Sequence, residues 1–290
     1  MPIIFENVSY VYGQNTPFEH KALDKINLTI NENEITGLIG QTGCGKSTIA
    51  QLCNGLYKPN EGKVTVDGVD INADKKNRKE NFFKVGLVFQ YPEYQLFEDT
   101  VEHDIAYGPK NMGLSEDEIK RRVLDAVRFV GLREDEMQKS PFDISGGQRR
   151  RAAIAGIIAM EPQYLILDEP AAGLDPQGRD DILSKLKKYQ REKKTSVVII
   201  SHSMEDMAKY CDRIIVLSQN GVYKCGTKAE IFEDPAALRD MGLSVPQITK
   251  MVYCAKELGV SFDRPLYTVD AAFEDIMKML GGGDGKSYAT

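Results

Sequence analysis

The sequence predicts an α/β fold with a parallel sheet core, an N-terminal antiparallel β subdomain, a helical subdomain and a C-terminal helical extension. Three observations lead there. Two runs, Tyr164-Leu165-Ile166-Leu167 and Val197-Val198-Ile199-Ile200, are apolar at every position, and a helix-patterned segment of about 178–192 lies between them. Strands apolar on both faces that alternate with helices belong to a parallel sheet covered on both sides. The opening stretch reads as antiparallel strands interrupted by one glycine-rich loop and one helix. The middle of the chain, roughly 92–160, has helical periodicity instead.

In chain order, Ile26, Leu28 and Ile30 alternate with Lys25, Asn27 and Thr29, a half-buried strand. Residues 34–39 form a second strand after the polar turn Asn31-Glu32-Asn33. Val64 and Val66, then Asp67-Gly68, then Val69 and Ile71 predict a hairpin with a two-residue turn. Lys84 to Phe89 is a short apolar strand. Ser115-Glu116-Asp117-Glu118 reads as a capping box, followed at helical spacing by Ile119, Val123, Ala126, Val127 and Val130. Arg213 to Leu217, the turn Asn220-Gly221, and Val222 to Cys225 read as an antiparallel hairpin. Two amphipathic helices follow. The first carries Val245, Ile248, Val252 and Ala255, with Ser244 as its predicted N-cap and Gln247 three residues on. The second carries Val269, Ala272, Phe273, Ile276, Met277 and Leu280. The expected organisation is a cassette over 1–226, with its helical subdomain at 92–160, a helical extension over 227–281 and a flexible tail over 282–290. No internal repeat is present.

Composition narrows the class. The 290 residues carry 37 basic and 43 acidic side chains, a net charge of −6. That argues against gripping nucleic acid by bulk charge. The apolar fraction of 42% and charged fraction of 28% are those of a globular chain. No apolar run is long enough to span a bilayer. The first residues lack the basic and apolar regions of a secretory signal, so none is expected. Five cysteines, at irregular spacing and without a CxxC, read as reduced thiols.

Gly40-Gln41-Thr42-Gly43-Cys44-Gly45-Lys46-Ser47-Thr48 matches GxxxxGKS. Glycines let the backbone turn several amides inward into an anion nest, and the helix starting near Lys46 adds its positive N-terminal end. Lys46 is placed to reach the β- and γ-phosphates of ATP, and Ser47 to offer its hydroxyl to Mg²⁺. A strand before the loop and a helix after it supply the required context. A glycine-rich turn without a ligand is the bland alternative.

At the end of the run 164–167, Asp168 and Glu169 emerge together, at the carboxyl end of a strand where open parallel sheets bind ligands. Asp168 is placed to orient Mg²⁺ and Glu169 to polarise an attacking water. Without the phosphate loop, a solvated acidic turn would be the better reading.

Ser145-Gly146-Gly147-Gln148, followed by Arg149-Arg150-Arg151 and an apolar helix, completes a constellation that resembles the ATP-binding cassette (ABC) ATPases over most of the chain. The resemblance implies the P-loop cassette fold and further roles. SGGQ resembles the signature motif, with Ile144 where leucine is usual. Gln90 resembles the Q-loop glutamine, a third metal-site residue beside Ser47 and Asp168. Gly173-Leu174-Asp175 resembles the D-loop, and His202 the switch histidine. Tyr12 resembles the aromatic that stacks on adenine, with Tyr10 the weaker candidate. Ala171 stands where serine or threonine is commoner. In this family the signature motif binds the γ-phosphate held by an opposing cassette, so a partner cassette is implied.

Finer wording, TPFE at 16–19, the segment 89–101 around Gln90 and Arg151-Ala152-Ala153-Ile154-Ala155-Gly156, resembles the energy-coupling factor transporter ATPases, most closely the second of their two subunits. This implies an ATP hydrolase at the cytoplasmic face of the cell membrane. Its implied partners are a sister ATPase or a second copy, a transmembrane coupling subunit and a substrate-binding membrane component for a vitamin or metal ion. Nucleic acid is not among them. Two alternatives remain: the ATPase of a binding-protein-dependent importer, and a soluble ABC ATPase acting on DNA or the ribosome. The second is disfavoured by the single cassette and by the absence of sustained heptads between Lys46 and Ser145.

Overall fold

The computed structural model describes residues 1–219 and 221–280. Two sheets share the strands. The first is antiparallel, in the order β2-β1-β4-β5, from β1 (Ile3–Tyr12), β2 (His20–Ile30), β4 (Glu61–Val66) and β5 (Val69–Asp70). Asp67 and Gly68 both take positive φ, 53° and 78°, as a type I′ hairpin turn requires, and Val66 pairs with Val69. The second sheet has six strands: β3 (Ile35–Gly40), β6 (Val85–Val88), β7 (Tyr164–Asp168), β8 (Ser196–Ile200), β9 (Arg213–Ser218) and β10 (Gly221–Thr227). Their order is β10-β9-β3-β8-β7-β6. All neighbours are parallel except β10, which pairs antiparallel with β9. The predicted turn residue 220 lies outside the described residues.

The helices are α1 (Lys46–Asn54), α2 (Lys75–Lys84), α3 (Val101–Asn111), α4 (Glu116–Val130), α5 (Gly146–Ile158), α6 (Pro176–Lys193), α7 (Met204–Tyr210), α8 (Lys228–Phe232), α9 (Pro235–Asp240), α10 (Gln247–Glu257) and α11 (Val269–Met279). The continuous apolar runs have a direct explanation. In β7, Leu165 and Leu167 join the core shared with α3 to α7, while Tyr164 and Ile166 join the core shared with β1, β2 and α1. Each such aliphatic residue contributes about 1.5–3 kcal/mol by leaving water, so both faces hold the strand in register.

In α4, the predicted Ile119, Val123, Ala126, Val127 and Val130 are the buried residues. Its capping is half of what the sequence suggests. Ser115 accepts from Glu118 N, but the Glu118 carboxylate turns instead to Arg121 and Arg122 at 2.7 Å, a charge-assisted pairing stronger than a return bond to a neutral amide.

Two expectations for the extension need correction. Ser244 does not cap α10; the N-cap is Pro246, and its ring disfavours helical backbone at the preceding Val245. The first amide is met by Glu205 Oε1 of α7 at 3.2 Å. The apolar stripe of α11 is not a packed face either. Ala272 is buried, but Val269 is 69% and Phe273 59% exposed. Residues 281–290, including the predicted flexible tail, lie outside the described residues.

Candidate nucleotide site

The site gathers at the carboxyl ends of four adjacent strands. β3 runs into the phosphate loop, β6 leads to Gln90, β7 ends at Asp168 and Glu169, and β8 precedes His202. Tyr12 joins them from the end of β1. The result is a cleft of about 420 Å³, lined by Tyr12, Thr42, Gly43, Gly45, Lys46, Ser47, Thr48, Gln90, Asp168, Glu169 and His202, with His20 and Ala22 on its rim. Residues far apart in sequence meet here because a parallel sheet aligns the same end of every strand.

The loop depends on glycine at Gly45. Its φ is +96°, and a Cβ there would come within 2.6 Å of Leu23 Cδ2 and 2.9 Å of Ala22 O. Both conformation and space exclude a side chain. Lys46, buried on the first turn of α1, donates from Nζ to Gly40 O and Gln41 O, both at 2.8 Å. Cys44 is buried beneath the loop, and burial pushes its thiol pKa up against the opposing charge of Lys46. Gly40, Gln41 and Cys44 do not line the cleft; their loop neighbours Thr42, Gly43 and Gly45 do.

Ser47 Oγ donates to Asp168 Oδ2 at 2.6 Å. With the Gln90 amide in the same cleft, these are hard oxygen donors of the kind Mg²⁺ takes, so the residues fit that ion. Tyr12 shares a hydrogen bond with Thr48 Oγ1 at 2.9 Å. Its ring meets Tyr10 and Tyr57 edge-on, at 4.9 and 5.7 Å between centroids, which holds it at the cleft while Tyr10 stacks on Tyr57.

Glu169 adopts a left-handed backbone, φ 51°, uncommon for a residue with a side chain. Its amide donates to Ile200 O at 2.9 Å, tying β7 to β8 at the cleft. Burial, then the charge of Asp168, raises its carboxyl pKa, with Lys46 opposing. His202 Nε2 lies 3.5 Å from Glu169 Oε1. Burial, then Lys46, lowers the His202 pKa, with Asp168 opposing.

The signature residues and Asp175 stand apart from this cleft. Ser145 caps α5 in a reciprocal box with Gln148, at 2.7 and 3.3 Å. Gly147 faces open space, with nothing within 4 Å of a Cβ placed there, while a Cβ at Gly146 would meet Arg149 Nη2 at 3.9 Å. Asp175 caps α6 by accepting from Gly178 N at 2.6 Å. Gly147 and Asp175 line a separate cavity between the helical subdomain and α6. Sequence reasoning gave no role to Arg150, which reaches from α5 to the carbonyl oxygens of Glu169 and Ala172. The available signal was an arginine in step with Ile154 and Ile158 on the buried face of a helix.

Residues 23–172 match the ABC transporter family. The chain belongs to that family and is an ABC-type ATPase, an enzyme that couples ATP hydrolysis to transport. Within it, the chain groups with the ATP-binding proteins of energy-coupling factor transporters. It is 50% identical to the energy-coupling factor transporter ATP-binding protein EcfA2 of Clostridium acetobutylicum over 97% of this chain and 98% of that protein. The same-named protein of Caldanaerobacter subterraneus subsp. tengcongensis is 49% identical over 97% and 99%. Among solved structures, cbiO1 of Clostridium perfringens, part of the ABC transporter complex cbiONQ, superposes with a TM-score of 0.72 at 36% identity, covering 87% of this chain and 98% of that one. A dimeric bacterial ABC transporter cassette superposes with a TM-score of 0.70 at 29% identity, covering 78% and 98%. No helix among the described residues is long and apolar enough to cross a membrane.

Proposed function

We propose that this chain powers an energy-coupling factor importer for a vitamin or metal-ion micronutrient, bound to the cytoplasmic face of the membrane. It works with a sister ATPase or a second copy, a transmembrane coupling subunit and a substrate-binding membrane component. The observation that carries the reading is the division of the site. The phosphate loop, Asp168, Glu169 and His202 share one cleft, while Gly147 and Asp175 line a different one. One chain thus presents two half-sites, and a facing cassette would complete each.

In this reading Tyr12 stacks on adenine, while Lys46 and the loop amides hold the phosphates. Ser47, Gln90 and Asp168 hold Mg²⁺, which when bound offsets charge on the phosphate oxygens. Glu169, whose carboxyl pKa is raised by burial, accepts a hydrogen bond from the attacking water. His202 contacts the γ-phosphate. Positioning and charge stabilisation do most of the work in phosphoryl transfer. Ser145, Gly146, Gly147 and Gln148 present a helix N-terminus to the partner's nucleotide.

Coupling to the membrane subunit is assigned to the segment after Gln90. Tyr94 is 84% and Phe97 62% exposed. Phe97 packs edge-on against Tyr107 at 5.0 Å, beside a groove lined by Phe89, Leu96 and Met160. Leu96 packs against the core instead. A short amphipathic helix suits such a groove. Purification in mild detergent with co-expressed membrane subunits, followed by uptake assays over a vitamin and metal-ion panel, tests the proposal. Copurification with saturable ATP-dependent uptake supports it, and a chain that binds no membrane partner contradicts it.

A further inference from the structure

Arg150 is 5% exposed, an unusual position for a charge unless it is well paired. It sits on α5, two residues after the signature motif, and its guanidinium reaches across to the loop that follows β7. One nitrogen donates to Glu169 O at 2.8 Å, and the other donates to Ala172 O. Both acceptors lie in the loop joining β7 to α6. Glu169 has a left-handed backbone, and its carbonyl also accepts from Ala172 N at 3.1 Å within the same turn. Such a conformation persists only when its surroundings hold it.

A second connection runs to the segment after Gln90. Burial pushes the Arg150 pKa down, and the neighbouring Glu93, then Tyr91 and Glu169, oppose that shift. Arg150 Nε and Glu93 Oε2 are both buried without a hydrogen-bond partner among the described residues. One guanidinium thus sits among the signature helix, the segment that follows Gln90 and the backbone of Glu169.

We infer that Arg150 is a positioning residue for hydrolysis: it holds the left-handed backbone of Glu169 through two carbonyls and so makes the aim of that carboxylate depend on the seating of the helical subdomain. The inference rests on the reading of Glu169 as the group that polarises water. A planar fork with two parallel donors suits two adjacent carbonyls, whereas an ammonium is a point charge. Movement of α5 against β7 would carry the fork away from its acceptors and leave Glu169 free to relax.

The test uses the full-length chain in its ATPase dimer, with kcat, KM and ATP affinity measured together. Misplacement of a reacting group by about 1 Å costs on the order of 10²-fold. Arg150→Ala should therefore lower kcat about 10- to 100-fold, with KM and ATP affinity within about twofold of wild type. Arg150→Lys should fall between the two. Adding Arg150→Ala to Glu169→Gln should produce no further loss in the residual rate, because the group being positioned is already gone. A merely structural arginine would lower both backgrounds by the same factor, and that result overturns the inference, as does a wild-type kcat for Arg150→Ala. If Glu169→Gln is inactive while Arg150→Ala is fully active, the inference fails and the reading of Glu169 stands. Wild-type turnover in Glu169→Gln removes both. If Arg150→Ala does not fold, Arg150→Lys decides by the same comparison in the two backgrounds.

Discussion

His202 Nε2 stands 3.5 Å from Glu169 Oε1, although the two residues follow different strands of the sheet. Their pKa values move in opposite senses. Burial raises that of the carboxyl and lowers that of the imidazole, so burial works against the charged form of each. The pair is therefore weaker as an ion pair than its distance suggests, and each group is available to a ligand in the cleft.

This has a consequence for stability. A carboxyl pKa raised on folding means the folded state binds its proton more tightly than the unfolded chain does. Glu169 then favours folding below its unfolded pKa, and that contribution is lost as pH rises through the raised folded value. Glu169→Gln removes the buried charge and should raise Tm at pH 7.5, with the gap to wild type narrowing as pH falls through the carboxylate range. Thermal melts at several pH values read this directly. A Tm difference independent of pH would contradict it.

Lys46 and Tyr12 should matter for different parts of the nucleotide. Hydrogen bonds to charged groups contribute about 1.5–3 kcal/mol each, so Lys46→Ala should weaken ATP and ADP alike by about 10- to 100-fold. Base stacking on an aromatic ring contributes about 1–3 kcal/mol, so Tyr12→Ala should weaken adenine nucleotides while leaving the affinity for inorganic triphosphate unchanged. Titration calorimetry with ATP, ADP and triphosphate separates the two effects. Normal ATP binding by Lys46→Ala would contradict the phosphate-loop assignment.

Some of this was legible in the sequence, and the reasons are physical. The loop 40–48 and the pair Asp168-Glu169 declare themselves because their chemistry fixes residue types at fixed spacing. β7 and β8 declare themselves because both faces are buried. The start of α10 did not, because the group that meets its first amide, Glu205, comes from another helix. The exposure of the α11 stripe did not, because periodicity marks an apolar face without saying what covers it. Arg150 was hidden because its partners are backbone carbonyls, which leave no side-chain pattern to read.

Dimer closure should depend on Gly147, which faces open space. Gly147→Asp would set a carboxylate against the partner's γ-phosphate, a like-charge contact in a poorly screened interface. In the Glu169→Gln background, ATP should still bind to Gly147→Asp but no longer bring two cassettes together in sedimentation velocity. An ATP-stabilised dimer that survives the substitution would contradict the shared-site arrangement.

Removing the exposed aromatic anchors should uncouple transport from hydrolysis. A few buried anchors carry most of the energy of a helix-in-groove contact, so Tyr94→Ala with Phe97→Ala should leave ATP affinity nearly intact and lower uptake by reconstituted vesicles at least about tenfold. Basal ATPase of the soluble dimer is the control. Equal loss of both activities would make the segment merely structural, and normal uptake would place the coupling surface elsewhere.

The most direct test of the account is one preparation of Glu169→Gln assayed for ATP affinity and turnover together. Loss of a general base typically lowers turnover about 10²–10⁴-fold, and in this account the phosphates are held by Lys46 and the loop amides, not by this carboxylate. The account predicts ATP binding at least as tight as wild type, with turnover reduced by that factor. Wild-type turnover alongside intact ATP binding would contradict it.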